Sequence, residues 1–321
     1  MSVRVPSLLE SGHPFRQWRT WTIPGTSLTM TGYSRANDKT FFHIPELKCC
    51  IDAGLCEGRQ PETVLLTHTH NDHVADLEFL AGRAQGADLY VPRPALGYVE
   101  RYIEARRELN HTAPFNPELA AETRLHPVSA GDTLFLGKRD AYQVEVFDCV
   151  HKVPCVGYGF SQREKRLLPE LVALREQLSA EGRMAEFGRE MARRRKAGES
   201  LEEVTFVPRF AFVGDTHASL FARSPELLRY PVIVTECTFL SESERERADR
   251  VGHTLWSQLR PVVLANPSTT FVLIHFSLRH SDAEVIDFFE AEVAAHAPGE
   301  LDNIVVWASR GALLHGQHQH R

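Results

Sequence analysis

From Thr67 to His73 the chain reads Thr-His-Thr-His-Asn-Asp-His, an H-x-H-x-D-H pattern that sets three imidazoles and a carboxylate within six residues. In an extended segment residues two apart point the same way, so His68 and His70 face one point and can share one metal ion. Asp72 and His73 follow where a helical pattern begins near Val74, so they face a neighbouring spot and can serve a second ion. Imidazole and carboxylate donors suit Zn²⁺, with Mn²⁺ or Fe²⁺ as alternatives. The competing reading is a polar loop whose histidines pack or cap the helix; three histidines and an aspartate straight after a buried strand favour metal. Two ions need more ligands than this loop supplies. His151 can complete the first group and His275 the second, and Asp215, in Gly214-Asp215-Thr216, can bridge both through its two oxygens. A carboxylate bridge holds two ions roughly 3.5–4 Å apart, close enough to share a hydroxide. A single histidine at a strand end is more often structural; the regular placement of several is the signal.

That placement follows one rule. Residues 63–67 (TVLLT) run into His68, 142–150 into His151, 210–213 through Gly214 into Asp215, 230–235 into Glu236, and 270–274 into His275. Each run is short, apolar and β-branched, which reads as a strand. In layered α/β folds the carboxyl ends of strands are where loops project side chains into a crevice. Helical periodicity occupies 74–85, 95–109, 254–264 and 282–296, and hairpin-like strands at 27–33, 39–44 and 48–51 fill the N-terminal third. No repeat of fixed period stands out.

The 321 residues are 43% hydrophobic and 24% charged, which excludes disordered, collagenous and coiled-coil classes. A net charge of -6 excludes bulk attraction to nucleic acid, so a polyanion would need a local basic patch. One segment offers it: residues 161–199 carry ten Lys or Arg against seven Asp or Glu and end in Arg193-Arg194-Arg195-Lys196. It reads as a helical arm inserted between core strands, the plainer alternative being a solvated helix pair. Six cysteines without a C-x-x-C pair, no signal-peptide pattern and no membrane-length apolar run place the protein inside the cell, away from membranes. The expected location is cytoplasmic, with nucleus and organelles left open. There is no G-x-S-x-G elbow, and residues 131–138 imitate a P-loop without its Ser or Thr. The tail 315–321, with His315, His318 and His320, reads as a frayed terminus.

The H-x-H-x-D-H loop, followed by His, Asp and His at later strand ends, resembles the metallo-β-lactamase superfamily. Within it, His151-Lys152-Val153-Pro154-Cys155-Val156-Gly157-Tyr158 is similar to the His-x-Val-Pro-Ser-x-Gly-Tyr of the ribonuclease Z branch, the tRNA 3′-processing endonucleases, in their short form. Gly214-Asp215-Thr216, Glu236-Cys237-Thr238-Phe239, Gly252-His253-Thr254 and His275-Phe276-Ser277-x-Arg279 resemble later motifs of that branch, so the likeness spans residues 32–279. The resemblance implies an α/β fold, the four-layer αβ/βα metallo-β-lactamase sandwich, as a single domain over 1–321 with the 161–199 arm as a tRNA-binding exosite. It implies a homodimer and two Zn²⁺ per chain, one held by His68, His70, His151 and Asp215, the other by Asp72, His73, Asp215 and His275. The implied activity is removal of the 3′ trailer from precursor tRNA by a metal-activated hydroxide. Asp72 would handle the hydroxide proton, His253 would protonate the leaving 3′-oxygen, and Glu236 would orient His253. Two departures stand out: the arm lacks the Gly-Pro character of many bacterial members, and His280 stands where a tyrosine often follows the arginine. Two other readings share these residues: a phosphodiesterase for small or cyclic nucleotide esters, and a non-catalytic RNA-binding protein of the same fold.

Overall fold

The computed structural model describes residues 16–309; residues 1–15 and the tail from 310, with the histidines of 315–321, lie outside the described part. Two seven-stranded sheets carry the fold, each in plain sequence order. The first comprises β1 (Arg19–Thr22), β2 (Thr29–Arg35), β3 (Lys39–Ile44), β4 (Cys49–Ile51), β5 (Thr63–Leu65), β6 (Ala87–Pro92) and β7 (Thr123–Val128). The second comprises β8 (Thr133–Leu136), β9 (Tyr142–Asp148), β10 (Val156–Leu167), β11 (Glu202–Phe212), β12 (Val232–Glu236), β13 (Thr270–Ile274) and β14 (Ile304–Val306). Each sheet opens with antiparallel pairings and ends with parallel ones, the change falling at β4 and at β11. The two halves therefore share one plan that left no repeat in the sequence.

The α-helices among the described residues are α1 (Asn71–Val74), α2 (Leu77–Ala81), α3 (Leu96–His111), α4 (Pro169–Ala180), α5 (Met184–Lys196), α6 (Leu220–Arg223), α7 (Arg245–Val251), α8 (Trp256–Ala265) and α9 (Asp282–Ala294). The sheets meet face to face through Phe42, Ile51 and Leu65 of the first and Val144, Tyr158, Phe212 and Val272 of the second. Leu77, Leu80, Val99 and Ile103 of α2 and α3 cover the outer face of the first sheet. Leu220, Trp256, Leu259 and Phe289 of α6, α8 and α9 cover the second. This is the expected αβ/βα layering, and it explains the continuous apolar runs: a parallel strand buried on both faces has no polar side to alternate with.

Two local expectations change. The helix expected over 74–85 breaks into α1 and α2, because the Asp76 amide donates to the Ala53 carbonyl at 2.8 Å and its carboxylate accepts from the Cys56 amide. Those bonds tie Asp76 to the loop after β4 and take its amide out of the helical ladder. The arm is not helical from its start. Residues up to Leu167 continue β10 and pair with β11 from Glu202 onward, so α4 and α5 sit at the tip of a long hairpin. Cross-strand pairing overrides weak strand propensity there. No helix among the described residues is long and apolar enough to cross a membrane.

Candidate metal centre

The carboxyl ends of the parallel strands β5, β11, β12 and β13 deliver His68, Asp215, Glu236 and His275 to one edge, and the β9–β10 turn adds His151. All nine residues singled out in the sequence converge there, including Asp72 and His73 at the start of α1 and His253 between α7 and α8.

Seven of them fall into two donor groups. His70 Nδ1 lies 3.1 Å from His68 Nε2 and 3.2 Å from His151 Nε2, and Asp215 Oδ2 lies 3.6 Å from His68 Nε2. In the second group Asp72 Oδ2 is 3.6 Å from His73 Nε2 and 3.5 Å from His275 Nε2. Asp215 Oδ2 sits at 3.6 and 3.5 Å from the same two nitrogens. A tetrahedron with metal–nitrogen bonds of about 2.1 Å has edges of about 3.4 Å, so these separations suit donors spread around ions. One oxygen of Asp215 faces both groups, where the sequence reading divided its two oxygens between them.

The opposite nitrogens of four rings are held from behind. His68 Nδ1 meets Thr67 Oγ1 at 3.0 Å, His73 Nδ1 meets Asp52 Oδ2 at 2.7 Å, His151 Nδ1 meets the Gly252 carbonyl at 2.9 Å, and His275 Nδ1 meets Thr238 Oγ1 at 3.1 Å. This fixes each ring with Nε2 aimed inward, the arrangement that supports metal-bound histidines. The Nε2 atoms of His73 and His275 are buried without a hydrogen-bond partner. Two orphaned buried nitrogens facing carboxylates are costly unless a cation joins them, so the donor set fits divalent metal.

Electrostatics mark the site as one that holds cations: burial lowers His73, but the Asp215 and Asp52 carboxylates outweigh it and hold it well above its ordinary value. Burial pushes His68, His70 and His151 below their ordinary imidazole value, towards the neutral form that ligates. Burial raises Asp72, but the His275 and His73 imidazoles, 3.5 and 3.6 Å away, outweigh it and bring the carboxyl to about 2. Asp215 is held well below the usual carboxylate range, its burial outweighed by His275, His73 and His68.

Glu236 plays a different part. Its oxygens accept from the Thr216 amide at 2.8 Å, the Thr254 amide at 3.1 Å, the Thr238 hydroxyl and His253 Nδ1 at 2.7 Å, which leaves no lone pair for an ion. Burial lowers His253, but the charge and hydrogen bond of Glu236 raise it to about 9.

Sequence reasoning missed the supports. Asp52 is fully buried and accepts from the Thr67 amide and hydroxyl at 2.8 and 2.9 Å as well as from His73. It stands just after β4, so the strand-end rule that found the other acids could have found it. Asp52 and His275 hold φ of 60° and 62°, left-handed backbone that costs a non-glycine residue of order 1–3 kcal/mol and marks where the site is over-determined. Gly54 is equally fixed, since a Cβ there would lie 1.8 Å from the Asp72 carbonyl oxygen. The turn between β2 and β3 contributes the Asn37 amide, which donates to Asp72 Oδ2 at 3.0 Å.

Fold and donor set define a metallo-β-lactamase-fold hydrolase scaffold, and comparison with known proteins agrees. A family model described as "Beta-lactamase superfamily domain" matches residues 54–168. The chain is 30% identical over 269 residues to "tRNase Z TRZ2, chloroplastic" of Arabidopsis thaliana, covering 81% of this chain and 70% of the relative. It is 26% identical over 317 residues to a "Ribonuclease Z" of Bradyrhizobium diazoefficiens, covering 89% and 99%. A "Ribonuclease Z" of Exiguobacterium sibiricum is 25% identical over 238 residues, covering 70% and 74%. The chain belongs to the ribonuclease Z (tRNase Z) family.

Proposed function

We propose that this protein is an endoribonuclease that removes the 3′ trailer from precursor tRNA, working with two Zn²⁺ per chain, Mn²⁺ or Fe²⁺ being the alternatives. The observation that carries the reading is the convergence of seven donor side chains, two with orphaned buried nitrogens, beside the hydrogen-bonded Glu236–His253 pair. The names of the relatives supply the substrate class. His68, His70, His151 and Asp215 would hold one ion, and Asp72, His73, Asp215 and His275 the other. Divalent ions bound there supply Lewis acidity towards water and towards phosphate oxygens at neutral pH.

The chain's own groups do the rest. Asp72, ionised and turned to the cleft, accepts or orients the proton of the attacking water. His253 has Nδ1 committed to Glu236, so Nε2 is the atom that delivers a proton to the leaving 3′-oxygen, and the tRNA keeps a 3′-hydroxyl. Glu236 stabilises the charged imidazole and fixes its orientation. The arm packs on itself, with Leu171 and Leu178 of α4 and Phe187 of α5 buried, and in this reading it is a platform for the tRNA body. A homodimer completes the reading and is tested by equilibrium sedimentation.

The test is incubation of purified protein with a 3′-extended precursor tRNA and, separately, with bis(p-nitrophenyl) phosphate. The reading expects cleavage of both. Turnover of the small ester alone would replace it with a small-molecule phosphodiesterase.

A further inference from the structure

We infer that a basic trough beside the metal centre, built by Lys152, Arg223, Arg247 and Arg250, holds the RNA phosphates on the 5′ side of the cleaved bond; the inference rests on the endoribonuclease reading above. A second open cleft of about 490 Å³ lies beyond His151, with Lys152, Arg223, Arg250 and Gly252 in its lining. It shares His151 and Lys152 with the metal cleft, which has Arg247 and His253 in its own lining. The two clefts therefore meet across the His151 turn and the Gly252–His253 segment.

The four cations come from three separate elements: the β9–β10 turn, α6 and α7. Each is exposed, and none has an ion-pair partner among the described residues. The carboxylate in the second cleft, Asp249, is occupied by His217 at 3.2 Å and Gln258 at 2.7 Å. The arm contrasts with this. Of its ten cations, Lys165, Arg166, Arg183, Arg193 and Arg194 are paired with glutamates. A phosphate must break those pairs to engage these five, whereas none of the four trough cations is in an ion pair among the described residues, Arg247 lying only over the Phe239 ring. The trough's ligand is a run of phosphates read by charge and spacing and not by base.

The reaction geometry assigns the strand direction. In-line displacement puts the nucleophile and the leaving oxygen on opposite sides of the phosphorus. His253 protonates the 3′-oxygen that leaves, so the nucleotides 5′ of the cut depart past His253. The trough adjoins that side, through Gly252 and α7. It therefore grips the 3′ end of the tRNA body and not the trailer.

The experiment uses metal-loaded protein carrying Arg223→Gln and Arg250→Gln together. Binding is read by fluorescence anisotropy between 50 and 200 mM salt, with a tRNA trimmed at the cleavage point and with the trailer RNA alone. Losing two phosphate contacts should flatten the salt slope for the trimmed tRNA by about 1.4–1.8 and weaken it roughly tenfold or more at 50 mM. Trailer binding should not change, and the Arg223→Lys, Arg250→Lys pair should keep the wild-type slope. Bis(p-nitrophenyl) phosphate, with one phosphate, should turn over within about twofold of wild type, which checks that the metal site is intact. An unchanged slope for the trimmed tRNA, or a loss confined to the trailer, would overturn the inference. Failure of the functional reading looks different: wild-type protein would leave a 3′-extended precursor uncut, while the binding comparison still decides the trough.

Discussion

Replacing His253 with alanine separates bond cleavage from leaving-group protonation. His253 Nδ1 sits 2.7 Å from Glu236 Oε1 with the imidazole 16% exposed, which leaves Nε2 for the cleft. With its pKa raised to about 9 by Glu236, the ring favours its protonated, proton-donating form at pH 7.5. Without it, Glu236 still accepts from the Thr216 and Thr254 amides and the Thr238 hydroxyl, so the fold around it keeps its bonds. A positioned general acid contributes roughly 10²–10⁴ in rate, or about 2.7–5.5 kcal/mol of barrier. A ribose 3′-alkoxide needs that proton; a nitrophenolate, the anion of a far stronger acid, leaves without it. The variant should therefore lose about 10²–10⁴ in single-turnover cleavage of a 3′-extended tRNA and less than about tenfold on bis(p-nitrophenyl) phosphate. Metal content measured on the same samples should stay at the wild-type level. Equal losses on the two substrates at full metal content would show that His253 supports the centre and does not act as the acid.

Three further outcomes follow from the same geometry. In the proposed mechanism Asp72→Ala removes both a donor to one group and the acceptor of the water proton, so both substrates should lose turnover and the metal content should fall by about one ion per chain; wild-type rates would refute the assignment. Asp52→Ala leaves His73 Nδ1 without its acceptor and should weaken metal binding about 10- to 100-fold in competition with a chelator, and unchanged affinity would mean that Asp52 serves packing alone. Deleting residues 167–196 should raise KM for precursor tRNA at least about tenfold and spare the small ester, because α4 and α5 pack on each other outside the sheet cores. An equal loss of both activities would show that the arm supports folding.

The centre was legible in the sequence because its chemistry sits at strand ends, where an apolar run stops on a single polar residue. His68, His151, Asp215, Glu236 and His275 all obey that pattern, and β12 and β13 lie within a residue or two of their expected bounds. Asp52 obeys it too, but Cys49-Cys50-Ile51 is a short run and a lone aspartate carries no metal-like spacing. The supporting roles of Thr238, named only as part of a motif, and of Asn37 were beyond sequence reasoning. One supports His275 through a hydroxyl, the other donates a turn amide, and both depend on three-dimensional approach. The arm misled because charge-dense residues without β-branching give no strand signal, although residues 161–167 pair with β11. The basic charge of the arm was visible in the sequence. The pairing of Arg166, Arg183, Arg193 and Arg194 with Glu164, Glu186 and Glu190 was not, since glutamates two to four residues from their partners look the same whether or not they pair.

The most direct test is to incubate the purified protein with a 3′-extended precursor tRNA, with and without a chelator, and to map both product ends. The account predicts a single cut that leaves a 3′-hydroxyl on the tRNA and a 5′-phosphate on the trailer, abolished by chelation and restored by Zn²⁺. An uncut precursor in the presence of metal, with bis(p-nitrophenyl) phosphate still hydrolysed, would contradict it.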